Sequence, residues 1–294
     1  MSGVVGIVGL GIMGGAMARN LVQGGWTVLG FDTSAARSAE LAGDGVRVCA
    51  DVASLAAQCE LILTSLPTAR AVRATAEAIA AAGVGRRVVI EASTLALEDK
   101  MAFAEVLQAA GHVALDCPTS GTGAQAAAGD LVIYASGDAE AIAAMRPCCA
   151  MFSRAVHDVG AYGNGTKMKY VANLLVAIHN VASAEAMVLG MKSGLDPAQL
   201  AELIAGGAGT SRIWELRAPM MAANAYLPAT MKVDIWQKDM DVIGRYATSL
   251  GVPTPTFSAT IPIYAAAQAQ GHGAEDTASV CAVLEQMGAV TRQN

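Results

Sequence analysis

Three glycines, spaced as Gly9-Leu10-Gly11-Ile12-Met13-Gly14, sit between a short β-branched run and a helical stretch, and this arrangement limits the fold more than any other feature of the chain. Val4 to Val8 reads as a fully buried strand, and Gly14 to Val22 as a helix stopped by Gly24-Gly25. Gly9 permits the tight turn between them, Gly11 lets a ligand approach the backbone, and Gly14 lets the helix pack close to the strand. The helix N-terminus then presents unpaired N–H groups and a partial positive charge, which suits a pyrophosphate. In a chain with 31 glycines the spacing alone is weak, but here a strand precedes it, a helix follows it, and an acid ends the next strand. That acid is Asp32, at the tip of the strand Thr27 to Phe31. Its carboxylate can accept hydrogen bonds from an adenosine ribose and repels an added 2′-phosphate. The expected cofactor is a nicotinamide dinucleotide, NAD in preference to NADP, with Arg37 near enough in sequence to soften that preference.

Further buried runs at Val46 to Cys49, Leu61 to Leu66, Val88 to Ala92 and His112 to Asp116 alternate with helical segments at Asp51 to Gln58, Ala69 to Ala82 and Leu97 to Ala110. Such alternation gives a parallel sheet covered on both faces. Right-handed crossovers make it doubly wound. Leu131 to Ala135 and Ala155 to Asp158 are expected to extend this sheet at its edge. Beyond Gly163 strand signals nearly vanish. Met168 to Lys192, Ala198 to Ile204, Met231 to Leu250, Ile261 to Gln270 and Ala278 to Met287 read as helices, with a break at Pro253-Thr254-Pro255. The fold class is therefore α/β: an N-terminal Rossmann-type doubly wound domain over residues 1–162, then an all-α domain over residues 163–294.

With 54% hydrophobic and 15% charged residues the chain can bury a substantial core, while a net charge of -6 without a basic stripe argues against a nucleic-acid partner. Cys49, Cys59, Cys117, Cys148, Cys149 and Cys281 form no CxxC pair and no zinc-spaced cluster. Reduced, buried thiols in a cytoplasmic protein are expected, with no metal site. The N-terminus shows no basic, cleavable leader. Tyr170 to Met191 is the most membrane-like stretch, but Asn173, His179, Asn180 and Glu185 interrupt it, and a buried helix without membrane contact fits better.

Loops at the carboxyl ends of strands line the ligand crevice of an open α/β sheet. Leu66-Pro67 follows one predicted strand and Ser93-Thr94 another. Thr94 suits either a hydrogen bond to the nicotinamide riboside or an N-cap for the helix beginning near Leu97. Ser120-Gly121-Thr122, just after Pro118, offers hydroxyls and backbone amides that can hold a carboxylate, although such residues are also ordinary loop composition. Lys169 and Asn173 lie one turn apart on a single helix face, and Lys167 faces elsewhere. The positive end of a helix disfavours an ammonium group, which suits a lysine that must exchange a proton. A pair of solvated surface lysines is the plain alternative. Lys238 has Asp234 and Asp241 within helical reach, a pattern that by itself describes a surface salt-bridge cluster.

These motifs together resemble the β-hydroxyacid dehydrogenase family, which includes 3-hydroxyisobutyrate dehydrogenase, tartronate semialdehyde reductase and L-threonate dehydrogenase. The segment from Gly9 to Leu21 looks like the family's opening fingerprint, and Asp116 to Gly121 resembles its substrate loop, usually written DAPVSGG. Gly163 to Asn173 is similar to its catalytic motif, and Gln237-Lys238-Asp239 to its C-terminal lysine motif. The four motifs occur in order along essentially the whole chain. Thr122 departs from the pattern, standing where the family has the second glycine of the substrate loop, and Cys117 and Thr119 replace Ala and Val. Segments Val233 to Asp239 and Gly273 to Ser279 look closest to the L-threonate dehydrogenase branch.

The resemblance implies an NAD(P)-dependent 3-hydroxyacid dehydrogenase acting on a small hydroxy acid or its semialdehyde, built as a homodimer or homotetramer. It implies that Ser120, Gly121 and Thr122 hold the substrate carboxylate and that Lys169 is the general acid–base. Asn173 then orients Lys169 or the substrate oxygen, and Lys238 serves cofactor and substrate. Gly9, Leu10, Gly11, Ile12, Met13, Gly14, Asp32, Leu66, Pro67 and Thr94 complete the cofactor set. Thr122, Trp214 and Trp236 are the candidates for substrate selectivity. Two other readings are an imine or ketone reductase on the same plan, which resembles this family but lacks its lysine, and a non-catalytic dinucleotide-sensing module.

Overall fold

The structure is a computed structural model describing residues 3–292. The chain packs as two compact units, Met1–Lys169 and Tyr170–Asn294. The first contains, in order, β1 (Val4–Val8), α1 (Ile12–Gln23), β2 (Thr27–Phe31), α2 (Ala35–Gly43), β3 (Arg47–Val48), α3 (Val52–Ala56), β4 (Leu61–Thr64), α4 (Ala69–Ala81), β5 (Val88–Glu91), α5 (Leu97–Ala109), β6 (Val113–Asp116), β7 (Thr119–Ser120), α6 (Gly123–Ala127), β8 (Leu131–Ala135), α7 (Ala139–Cys149) and β9 (Ser153–Asp158). Helix α8 (Asn164–Lys192) begins in the first unit and continues into the second, which adds α9 (Pro197–Ala205), α10 (Arg212–Ala223), α11 (Val233–Ser249), α12 (Pro255–Ala269) and α13 (Val280–Met287). The packing division thus falls inside α8, whereas the boundary expected at 162/163 lies in the turn before that helix.

Strands β1 to β6 form a six-stranded sheet in the order β3-β2-β1-β4-β5-β6, with every pairing parallel. The apolar runs are continuous because both faces are covered and successive residues point to opposite sides. Ile7, Leu63, Ile90 and Leu115 join Met17 and Leu21 of α1 and Ile142 and Met145 of α7 in one core. Their neighbours Val8, Ile62, Val89 and Ala114 pack with Leu55, Ile79, Phe103 and Leu107 on the other face. Here the structure corrects one expectation. Leu131–Ala135 and Ser153–Asp158 do not extend the large sheet but form a separate sheet in the order β7-β8-β9, joined to β6 by the isolated bridge between Asp116 and Ser136.

The second unit is built of helices around buried Trp214, Trp236, Phe257 and Tyr264. Asp196 with Pro197 opens α9, Ser211 caps α10, and Pro255 starts α12, where a missing N–H costs nothing. Buried Asn180 of α8 donates to the Thr277 carbonyl at 2.8 Å and to the Tyr264 hydroxyl at 3.0 Å. This polar ladder explains why an apolar helix carries amides at positions that a bilayer would penalise. Burial also pushes the thiols of Cys59, Cys148 and Cys281 up to about 12, so they behave as inert core residues.

Candidate active site

The glycine loop lies at the carboxyl end of β1, next to β4, where the strand order reverses. Gly9 has φ +93°, a left-handed conformation, and a Cβ there would run into the Ser65 carbonyl. A Cβ on Gly14 would strike the Gly9 carbonyl, so both positions need glycine on steric grounds. Gly11 differs, because nothing lies within 4 Å of its added Cβ. It is the N-cap of α1 and offers no side-chain hydrogen bond to the first turn. The loop therefore leaves open space above uncapped N–H groups, and this fits a dinucleotide pyrophosphate.

Asp32 sits just past β2. Its Oδ2 accepts from the Leu10 amide at 2.7 Å and its Oδ1 from the Ser34 amide at 2.7 Å. One carboxylate therefore fixes both the glycine loop and the start of α2. Arg37 does not turn toward Asp32. Its guanidinium pairs with Glu40 at 2.9 Å, and Glu40 also takes Arg19 at 2.7 Å.

Leu66 and Pro67 follow β4, and the Leu66 amide donates to Ser93 Oγ at 2.8 Å. Thr94 is not the N-cap of α5. Ala96 holds that position without a side-chain cap. Ser120 ends β7, opposite Val132 of β8. Gly121 has φ +139°, and a Cβ there would come within 2.6 Å of Leu131 Cδ2. Thr122 caps α6: its hydroxyl accepts from the Gln125 amide at 3.4 Å, and its own amide donates to Gln125 Oε1 at 3.0 Å. That capping box occupies a residue expected to face the substrate. The next residue meets the glycine loop, since a Cβ on Gly123 would lie 2.6 Å from Ile12 Cγ2.

Lys169 stands in the second turn of α8 and is only 8% exposed, which removes the reading as a solvated surface lysine. Lys167 is half-buried and lies 3.2 Å from Asn164 Oδ1. The helix reaches its place through Gly165, whose Cβ would collide with the Tyr134 carbonyl and sit 2.6 Å from the Asp116 carbonyl. The Thr166 amide donates to Asp116 Oδ2 at 2.7 Å and its hydroxyl to Oδ1 at 2.8 Å. A buried carboxylate from the end of β6 thus caps the helix that carries Lys169, matching the sign of the helix dipole.

In the second unit, buried Asn173 Nδ2 donates to Asp239 Oδ2 at 2.9 Å. Lys238 Nζ lies 3.5 Å from Asp239 Oδ1. Asp239 therefore brings together two residues that sequence reading picked out separately. Asp241 also pairs with Arg245 at 2.6 Å, and Asp234 accepts from Gln268 at 2.8 Å. Helical spacing drew attention to neighbours three and four residues from Lys238 and passed over its immediate neighbour.

Residues 4–160 match the family described as the NAD binding domain of 6-phosphogluconate dehydrogenase. Residues 163–284 match the family described as NAD-binding of NADP-dependent 3-hydroxyisobutyrate dehydrogenase. The chain belongs to the β-hydroxyacid dehydrogenase family. It is 33% identical to L-threonate dehydrogenase of Cupriavidus necator over 97% of both chains. It is 30% identical to 2-(hydroxymethyl)glutarate dehydrogenase of Eubacterium barkeri, over 98% of this chain and 96% of that one. Among solved structures, Mycobacterium tuberculosis 3-hydroxyisobutyrate dehydrogenase with L-serine superposes with a TM-score of 0.88 at 28% identity, covering 97% of this chain and 99% of that one. As a β-hydroxyacid dehydrogenase family member, the chain is an oxidoreductase of the CH–OH class that uses a nicotinamide dinucleotide.

Proposed function

We propose that this chain oxidises a small 3-hydroxy or related hydroxy carboxylic acid with NAD, reversibly, with Lys169 as the general acid–base. The observation that carries this reading is a buried lysine in the second turn of a helix whose first turn is locked to the end of β6. When bound, the nicotinamide ring supplies the hydride acceptor. Lys169 Nζ takes the hydroxyl proton as the C–H hydride departs and the carbinol becomes a carbonyl, and it returns the proton in the reverse direction. The Ser120 hydroxyl and Gly121 amide hold the substrate carboxylate. Thr122 shapes the same loop through its cap on α6. Asn173, one turn along from Lys169, orients the reacting oxygen, and Lys238 adds positive charge for cofactor and substrate.

The glycine loop and Asp32, with Leu66, Pro67 and Thr94, form the dinucleotide site in this reading. Asp32 sets the preference for NAD over NADP in this reading, and the pairing of Arg37 with Glu40 supports it. The relatives named for L-threonate and 2-(hydroxymethyl)glutarate, and the structural neighbour with L-serine, support a small hydroxy acid as substrate. Exposed Val171, Leu175 and Leu189 along α8 suit a subunit contact, supporting a dimer or tetramer that light scattering would detect. Absorbance at 340 nm with NAD and a panel of L-threonate, D-glycerate and 3-hydroxyisobutyrate tests the reading. Reduction of NAD by one of these acids is expected, and a flat trace with every hydroxy acid tried, at saturating NAD, counts against it.

A further inference from the structure

The proton-transfer scheme leaves a buried charged cluster beside α8 without a task. Lys100 of α5, Glu91 at the end of β5 and Asp116 at the end of β6 are each 0% exposed. The Lys100 ammonium lies 3.1 Å from Asp116 Oδ1, in direct contact with the Glu91 carboxylate, and 3.3 Å from the Glu91 carbonyl. The ion pairs and hydrogen bonds run outward from this centre. Glu91 Oε1 accepts from the Ser93 amide at 3.0 Å, and Ser93 Oγ accepts from the Leu66 amide at 2.8 Å. Asp116 takes both donors of Thr166, while Ser136 Oγ accepts from the Gly165 amide at 3.0 Å and donates to Asp116 Oδ2 at 3.3 Å. Tyr162 adds a strap, its hydroxyl donating to the Lys100 carbonyl at 2.9 Å.

Two carboxylates face one ammonium in this cluster, and the remaining positive end is the N-terminus of α8. Buried ion pairs of this kind add little stability over apolar packing, while removing one partner strands the others. Their contribution here is geometric. Burial works against the charged form of Lys100, but Glu91 and Asp116 outweigh it and raise its pKa above the ordinary value, so the cation stays in place. We propose that Lys100 is a positioning residue for Lys169, acting through Asp116 and Thr166 to fix the first turn of α8 against the ends of β5 and β6. The inference rests on the proposed role of Lys169.

The test uses the full-length protein with four variants: Lys100→Met, Thr166→Val, the two combined, and Lys169→Ala. NAD binding is titrated by fluorescence to count competent sites, and kcat is expressed per NAD-binding site. A merely structural role lowers the number of sites and leaves kcat per site unchanged. The expected result is a loss of at least about tenfold in kcat per site for Lys100→Met and for Thr166→Val, with NAD affinity kept. The double variant is expected to be no worse than the poorer single, because both act along one path. If Lys100→Met does not fold, Thr166→Val combined with Lys100→Met/Glu91→Gln, which removes the stranded charge, provides the same comparison. Wild-type kcat per site in Lys100→Met or its charge-balanced form, or fully multiplicative losses in the double variant, overturns the proposal. If Lys169→Ala itself keeps its activity, the role of Lys169 is wrong. If Lys169→Ala is inactive while the Lys100 variants are normal, only the positioning role fails.

Discussion

Asn173 Nδ2 donates to Asp239 Oδ2 over 2.9 Å, so an amide assigned to the reacting oxygen takes its orientation from a buried carboxylate on α11. Asp239→Ala would remove that acceptor and leave the Asn173 amide without this hydrogen bond. A buried polar group that loses its partner costs about 1–3 kcal/mol, and kcat is expected to fall by roughly 10- to 100-fold on that basis. Steady-state kinetics with NAD affinity measured in parallel checks this. An unchanged kcat would show that Asn173 needs no help from Asp239.

Cofactor choice is predicted to rest on Asp32. Its two oxygens accept from the Leu10 and Ser34 amides, and a carboxylate at the end of the second strand repels an added 2′-phosphate. Wild type should favour NAD in kcat/KM by about tenfold or more, and Asp32→Ser should lose most of that ratio. Adding Glu40→Ala releases Arg37 and is expected to shift the ratio further toward NADP. A tenfold preference for NADP in the unmodified protein would contradict the assignment.

Acid sensitivity should trace in part to Asp276. Burial alone would raise its pKa, but Arg217 at 3.2 Å, with donors from Thr230, Ala278 and Met231, holds it below the ordinary carboxylate value. A folded pKa below the unfolded one gives stability that is full above the unfolded value, about 3.9. That stability is lost as pH falls through the folded value. Asp276→Asn should therefore cost about 3–5 kcal/mol at neutral pH, since it strands a buried guanidinium. Thermal melts of the two proteins should converge below about pH 4. Parallel curves across that range would exclude Asp276 as a source of acid sensitivity.

Much of this was legible in the sequence because it depends on local chemistry. The inner strands of the large sheet are short apolar runs bounded by glycine or polar residues, and Gly9 and Gly14 of the glycine loop are required on steric grounds. Helix α2 left little trace: among its residues only Leu41 is buried, so no apolar stripe marks it. The small sheet was misplaced because an apolar run such as Leu131–Ala135 does not specify which strand it pairs with. Asp239, Lys100, Glu91 and Thr166 were assigned no role for a related reason. Asp239 is adjacent to Lys238 and outside the three- and four-residue helical spacing. Lys100 lies 9 residues from Glu91 and Thr166 lies 50 from Asp116, and only the fold brings them together.

The account depends most on Lys169, and Lys169→Ala tests it directly. Single-turnover and steady-state kcat should be measured with the hydroxy acid identified by the 340 nm panel, and NAD binding verified by titration. The predicted result is unaltered NAD affinity with kcat reduced by roughly 10²–10⁴-fold, the usual cost of losing a general acid–base group. A variant that binds NAD and turns over near the wild-type rate would contradict the central claim.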